Sequence, residues 1–348
     1  MPDHHTEPRL TSLAHGGGCG CKLAPNVLAD ILSEMPLSLG HSDLIVDAGK
    51  SDDAAVYLIN ETTTLVATTD FFTPIVDDPH TFGRIAATNA LSDIFAMGAK
   101  PIFCLAIVGM PIGKIANETI RAILAGGRSV AEAAGAPIAG GHSIDSAEPI
   151  YGLVALGMGH PDKLLLNSNA QAGDVLILGK PLGIGIYSAA LKQELLSPAE
   201  YDEMVASTTR LNTPGTDLSE TSDVHAATDV TGFGLLGHAS EMARGAGLQI
   251  VIEKNKVPVF EGARHHAQSG IKTGASGRNW DSVSHMVTGQ MSAMETDLLC
   301  DPQTSGGLLV SCSPEAAHSV LETFRRHGHA DAAIIGRVES GAASVRVE

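Results

Sequence analysis

The stretch "AATNALSDIFAMG" (residues 86–98) has an echo in "AATDVTGFGLLG" (residues 226–237): both open on Ala-Ala-Thr, carry one aspartate, and run through a phenylalanine into an apolar segment closed by glycine. Read as a repeat, the pair implies two related domains whose aspartates, Asp93 and Asp229, occupy comparable places and face each other across one ligand. Outward from the first copy, helical spacing over residues 80–97 is followed by an apolar strand at 101–109, a second helix at 117–134 and a strand at 150–159. Upstream, residues 54–59 and 64–69 read as a hairpin, and a helix starts at Pro25, with Val27, Leu28, Ile31 and Leu32 at helical spacing.

The polar, turn-rich stretch 161–173 marks the boundary between domains. Beyond it, a strand at 174–179 leads into helices at 184–193, 198–211, 216–223 and 234–244, with strands at 248–253, 307–311, 332–338 and 344–347. The expected fold is therefore α/β in two domains, 25–160 and 174–348, preceded by a Gly/Cys-rich arm at 1–24. That arm has neither helical nor strand periodicity and reads as mobile.

A chain of 348 residues with 44% hydrophobic and 18% charged residues has globular composition. No apolar run is long enough to span a bilayer, and the first ten residues lack the order of a secretory signal, which places the protein in the cytoplasm. Five cysteines form no secreted disulfide framework. A formal charge of −17 repels nucleic acid. It is compatible with a nucleotide whose phosphates are bridged to aspartates by divalent cations.

Such aspartates occur in several places. "KSDDAAV" (residues 50–56) sets Asp52 and Asp53 where a loop enters a strand, and "TTDFF" ends a strand in Asp70. Asp93 lies among Leu91, Ile94, Phe95 and Met97, where a charge is costly unless paired or metal-bound. In "GAPIAGGHS" (residues 135–143) a short strand ends at Gly140 and Gly141, whose backbone amides suit phosphate, with His142 and Ser143 as further donors. The stretches around Asp52 and Asp53, Asp70, and Gly140 and Gly141 also read as ordinary turns, whereas Asp93 does not.

In "HGGGCGCK" (residues 15–22), Cys19 and Cys21 are surrounded by glycines that cannot bury them, and Lys22 is close enough to hold a thiolate if the loop curls. A C-x-C metal site with His15 is the bland alternative, and it lacks a fourth ligand. "GKS" at 49–51 fails as a P-loop because no glycine stands where the motif needs one. "GFGLLG" (residues 232–237) does satisfy a dinucleotide fingerprint, with Glu253 at the expected interval, so an oxidoreductase stays open, as does a non-enzymatic chalcogen or metal carrier.

Taken together, "HGGGCGCK", "DDAAVY", "TTDFFTPIVDDP", "FGRIAATNALSDIFAMGAKP", "AGGHSID", "KPLGIG", "TDVTGFGLLGH" and "LLCDPQTSGGLL" resemble the selenide, water dikinase (selenophosphate synthetase) family, in order, from about residue 10 to residue 340. The wider aminoimidazole ribonucleotide synthetase-like superfamily lacks the GCGCK arm. The resemblance implies Mg²⁺-dependent conversion of ATP, selenide and water to selenophosphate, orthophosphate and AMP. It also implies an N-terminal ferredoxin-like α/β domain pairing in a homodimer, a C-terminal α/β domain, and ATP at the dimer face.

By motif match, Cys19 takes the position of the family's cysteine or selenocysteine and Lys22 that of its catalytic lysine. Asp53, Asp93 and Asp229 match metal ligands. Lys22, Lys50, Ser51, Asp52, Asp70, Asp93, Gly141, His142 and Ser143 match nucleotide contacts. Gly17 stands where some relatives carry alanine or serine. Selenium could arrive free or from a delivery protein, and the resemblance leaves that open.

Overall fold

The computed structural model describes residues 7–23, 25–32, 41–47 and 52–348. Among these, six strands form the first sheet: β1 (Leu44–Val46), β2 (Ala55–Asn60), β3 (Thr63–Phe72), β4 (Lys100–Met110), β5 (Ile138–Asp145) and β6 (Ile150–Gly159), in the order β1-β2-β3-β6-β4-β5. All neighbours are antiparallel except β4 and β5. The expected hairpin is β2–β3.

A short helix, α1 (Pro25–Leu32), precedes the sheet, and α2 (Pro79–Ala96) and α3 (Asn117–Ala133) belong to the same domain. The Asp78 side chain caps α2 by accepting from the Thr81 amide at 2.7 Å, and Pro79 supplies a first-turn residue that needs no N–H partner. Gly83 and Gly126 let α2 and α3 approach backbone to backbone, since a Cβ on either would lie 2.0 Å or less from a carbonyl oxygen of the other helix. Helix α2 is buried along most of its length, from Phe82 to Ala96. One side meets the first sheet, and another meets the second domain.

That second domain holds seven strands: β7 (Val175–Leu178), β8 (Val224–Asp229), β9 (Gln249–Ile252), β10 (Val287–Gly289), β11 (Leu308–Cys312), β12 (Ala333–Glu339) and β13 (Ser344–Val347), in the order β10-β13-β9-β12-β7-β11-β8. Helices α4 (Ile184–Lys192), α5 (Pro198–Thr208), α6 (Pro214–Leu218) and α7 (Gly234–Ala246) follow in the chain. Strand β11 is apolar except for Ser311 and buried throughout, as expected of a strand covered on both faces. Two α/β domains are thus present, as the alternation of periods predicts.

Four expectations need correction. The two echo stretches do not fold alike: residues 86–96 lie inside α2, whereas 226–237 pass from β8 through a turn into α7. Residues 224–229, for which periodicity predicts no strand, form β8, which runs antiparallel to β11 at the sheet edge. Helix α6 spans Pro214–Leu218 rather than 216–223. Strand β5 does not stop at Gly141. It continues to Asp145 because β4 offers parallel partners up to Met110.

Domain contact runs through α2. Asn212 donates to Ser92 Oγ at 2.8 Å, Thr216 to the Ala99 carbonyl at 2.9 Å, and Ser219 to the Gly98 carbonyl at 2.9 Å. No helix among the described residues is long and apolar enough to cross a membrane.

Candidate active site

This seating of α2 brings three distant aspartates together. Asp53 enters β2, Asp93 lies in α2 and Asp229 ends β8, yet one carboxylate oxygen of each lies within 4.8 Å of the other two. Thr228 Oγ1 donates to Asp53 at 2.7 Å and Thr68 Oγ1 to Asp93 at 2.5 Å. These two bonds orient the carboxylates without neutralising them.

Burial, followed by the charge of Asp229, holds the Asp53 and Asp93 carboxyls well above the ordinary carboxylate range. Burial also raises Asp229, against the opposing pull of its hydrogen bond with Ser92 and of His238. Asp53 Oδ2 and Asp229 Oδ2 are buried with no hydrogen-bond partner. A set of crowded carboxylate oxygens with orphaned acceptors suits a hard divalent cation.

Beside this cluster lies a hydrogen-bonded chain that the sequence motifs announce only in part. Asp70, buried on β3, accepts from Lys22 Nζ at 2.9 Å and from Asn89 Nδ2 at 2.6 Å. Asn89 Oδ1 in turn accepts from Cys19 Sγ at 3.1 Å and from the Ser305 amide at 2.7 Å. The Cys19 amide donates to Thr304 Oγ1 at 3.0 Å. Behind them, buried Lys180 donates to the carbonyls of Arg210 and Ser305 at 2.7 Å each, and burial pulls its pKa down to about 7.

Asn89, Thr304 and Ser305 are therefore structural partners that the motif reading missed. A signal for Asn89 existed: it and Asp93 are four residues apart, so they share a face of a helix that is otherwise largely apolar.

The arm is docked in this structure. Two 3₁₀ turns, Leu10–Leu13 and Gly18–Cys21, replace the expected irregular chain. Thr11 donates its amide (3.0 Å) and hydroxyl (2.6 Å) to Asp77, and Gly18 donates its amide to the Thr73 carbonyl at 3.0 Å. Cys19 is 1% exposed. Burial and then Asp70 push its thiol well above the usual range, and the opposing pull of Lys22 does not offset them.

Lys22 therefore does not hold a Cys19 thiolate here; its ammonium sits on Asp70. Burial works against that charge, but Asp70, Cys19 and Asp93 outweigh it and raise the Lys22 pKa well above its ordinary value. Cys21 is exposed and no cysteine is in a disulfide. His15 pairs with Glu148, which leaves the C-x-C reading without its third ligand.

Gly141, His142 and Ser143 do not reach the carboxylates within one chain. Strand β5 is separated from Asp70 on β3 by β6 and β4, roughly 14 Å at ordinary strand spacing. Register also puts His142 on the sheet face opposite Asp70. A Cβ on Gly141 would fall 2.2 Å from the Ala106 carbonyl oxygen, so glycine is required there by close packing against β4. Asp52 accepts from the Asn167 amide at 2.8 Å, near the domain junction. Lys50 and Ser51 lie outside the described residues.

The dinucleotide reading fails on topology. Strand β8, which leads to the glycine turn, is antiparallel to its neighbour β11 and is not adjacent to β9, whose end carries Glu253. A dinucleotide fingerprint needs parallel strands in one βαβ unit.

Residues 51–159 match the family described as AIR synthase related protein, N-terminal domain, and residues 171–348 match its C-terminal domain. The selenide, water dikinase of Pseudomonas straminea is 58% identical over 345 residues, covering 98% of this chain and 96% of the relative. That of Burkholderia pseudomallei (strain K96243) is 57% identical over 342 residues, covering 98% and 97%. Among solved structures, hydrogenase maturation protein HypE in complex with ATP superposes with a TM-score of 0.65 at 21% identity, covering 98% of this chain and 94% of that one. AaThiL complexed with AMPPCP and TMP gives 0.62 at 20% identity, covering 92% and 91%. These two likenesses establish the fold.

Proposed function

The chain belongs to the selenide, water dikinase family, and from that premise we propose how its residues serve the reaction. It is a phosphotransferase that binds ATP and converts ATP, selenide and water to selenophosphate, orthophosphate and AMP. The observation that carries the site assignment is the convergence of Asp53, Asp93 and Asp229 from two domains within 4.8 Å.

In our reading those three residues hold Mg²⁺, their orphaned buried oxygens matching its preference for oxygen ligands. When bound, the cation neutralises polyphosphate charge and polarises the γ-phosphorus. Asp52, Asp70 and Asp93 contact the nucleotide, together with Lys50 and Ser51. Lys22, aimed by Asp70, stabilises charge on the phosphoryl group in transfer. Cys19, fixed by Asn89 and Thr304, guides selenide toward the phosphorus, while the closed arm excludes water from the first transfer. Bound ADP is then hydrolysed, which gives AMP and orthophosphate.

A homodimer completes the site. Register puts Tyr57, Phe71, Leu105, Ile144 and Met158 on one face of the first sheet, all of them large, apolar and exposed. A second copy covering that face buries it and brings the partner subunit's Gly141, His142 and Ser143 to the nucleotide. The reducing cytoplasm, where free thiols persist, is the compartment this chemistry needs.

Phosphorus NMR of a mixture of protein, ATP, Mg²⁺ and selenide tests the activity. The expected spectrum gains selenophosphate, orthophosphate and AMP together, each dependent on selenide. ADP as the final nucleotide product would refute the reading.

A further inference from the structure

A cavity of about 420 Å³ shares no lining residue with the carboxylate cluster. Its walls include Gly16, Gly17 and Gly20 of the arm, Lys192 at the end of α4, and Lys272 and Arg278 around the start of the helix Gly274–Val283. The chain has 22 lysines and arginines against 39 acidic residues, yet three of those cations and none of the carboxylates line this space. The sign of the local charge is thus opposite to that of the molecule.

The cations have unused capacity. Lys192 Nζ donates to the Ala14 and His15 carbonyls at 3.1 and 3.3 Å, and Arg278 Nη2 to the Gly20 carbonyl at 3.4 Å. Neither has a carboxylate partner among the described residues. An ammonium carries three N–H donors and a guanidinium five, so both retain donors for a ligand. Lys272 is held at the rim by Asp297 at 3.1 Å. Gly274 and Ala275, the first helical residues after the Thr273 cap, add backbone amides at the positive end of a helix.

We propose that this cavity binds a tetrahedral oxyanion of the phosphate class and acts as a station for a product leaving the reaction site. A guanidinium fork, two ammonium groups and free helix amides form the donor set such an anion takes. The arm backbone parts the cavity from Cys19: Thr304 lines the cavity and accepts from the Cys19 amide at 3.0 Å. The assignment of the anion as orthophosphate or selenophosphate rests on the function proposed above, whereas the oxyanion site rests on the cavity alone.

Calorimetric titration of inorganic phosphate, and of thiophosphate as a stable stand-in for selenophosphate, into the full-length protein in EDTA tests this. Chelation removes cation-bridged binding at the aspartates. Saturable binding is expected to weaken at least about tenfold in Lys192→Gln and in Arg278→Gln and to persist in Asp229→Asn. Tighter binding of thiophosphate assigns the station to selenophosphate, and tighter binding of phosphate to orthophosphate. Both variants change exposed side chains, so their melting temperatures should match the parent protein.

Protection of Arg278 from phenylglyoxal by phosphate supplies the same test without a variant. Absence of saturable binding, or an affinity unchanged from the parent protein in both glutamine variants, overturns the proposal. Failure of selenide-dependent AMP formation would instead refute the proposed function while leaving the binding result intact.

Discussion

Lys22 and Asp70 form the ion pair on which the docked arm closes, with Nζ and Oδ2 2.9 Å apart. The pair joins the arm to β3. Because Asp70 also accepts from Asn89, and Asn89 accepts from the Cys19 thiol, Lys22 and Cys19 are both registered against one strand and one helix.

Replacing Asn89 tests that registration. Asn89→Ala leaves the buried Ser305 amide and the Cys19 thiol without their acceptor, at a cost of about 1–3 kcal/mol in stability, while Asp70 Oδ2 keeps Lys22. Selenide-dependent AMP formation is expected to fall at least about tenfold, with ATP affinity less affected. Unchanged turnover measured alongside the unfolding midpoint would show that the asparagine serves the fold alone.

Cys19→Ser keeps a donor for Asn89 and removes the sulfur. The variant should bind ATP and Mg²⁺ as before, dock its arm, and lose selenide-dependent activity. Full activity in a steady-state assay would remove the thiol from the mechanism. Lys22→Met, by contrast, leaves Asp70 buried without its cation and is expected to lower both stability and turnover.

The three aspartates make stability depend on pH in a stated direction. Their carboxyls are raised in the folded protein, so without a cation their contribution is intact below the ordinary carboxylate pKa of about 4 and is lost as pH rises through the raised values. In EDTA the melting temperature should therefore fall as pH rises above about 4, and Mg²⁺ should restore it. Asp229→Asn, which removes one of the crowded charges, is expected to stabilise the cation-free protein by on the order of 1 kcal/mol at neutral pH and to flatten that slope. A melting temperature that rises with pH in EDTA would contradict the assignment.

Asp77 has the opposite sign. Burial alone would raise its pKa, but the two bonds from Thr11 and the Arg9 ion pair outweigh it and hold the carboxyl below its ordinary value. Its contribution to arm docking is present above the ordinary carboxylate pKa and is lost as pH falls through the depressed value, below about pH 4. The protection factors of the Thr11 and Gly18 amides, each exchange rate being referred to its intrinsic rate at that pH, should fall on acidification, and Asp77→Asn should show low protection already at neutral pH. Identical protection in parent and variant would rule out this latch.

Much of the N-terminal domain is legible in periodicity, because α2, α3, β4 and β6 each bury a side or a full length long enough to set a pattern. The echo around Asp93 and Asp229 identified two residues that do meet, although one lies in a helix and the other ends a strand. Their meeting depends on α2 packing against the second domain, which no local signal contains. The same contact explains β8: "VHAATD" looks too polar for a buried strand, yet it is mostly buried at the sheet edge because α2 packs against it.

The arm reads as irregular in sequence because its order comes from distant partners, such as Thr304 for Cys19 and Asp77 for Thr11. The only local signal for Asn89 is its four-residue spacing to Asp93 on one face of α2, and that spacing names no partner because Cys19 and Ser305 come from distant parts of the chain. His142 and its glycine neighbours read as a phosphate loop, whereas pairing with β4 extends them as strand.

The central claim, that carboxylates from both domains hold one cation against the nucleotide, is tested most directly by electron paramagnetic resonance of Mn²⁺ titrated into the protein with a non-hydrolysable ATP analogue. The account predicts nucleotide-dependent Mn²⁺ binding that weakens at least about tenfold in each of Asp53→Asn, Asp93→Asn and Asp229→Asn. Undiminished Mn²⁺ affinity in all three variants would contradict it.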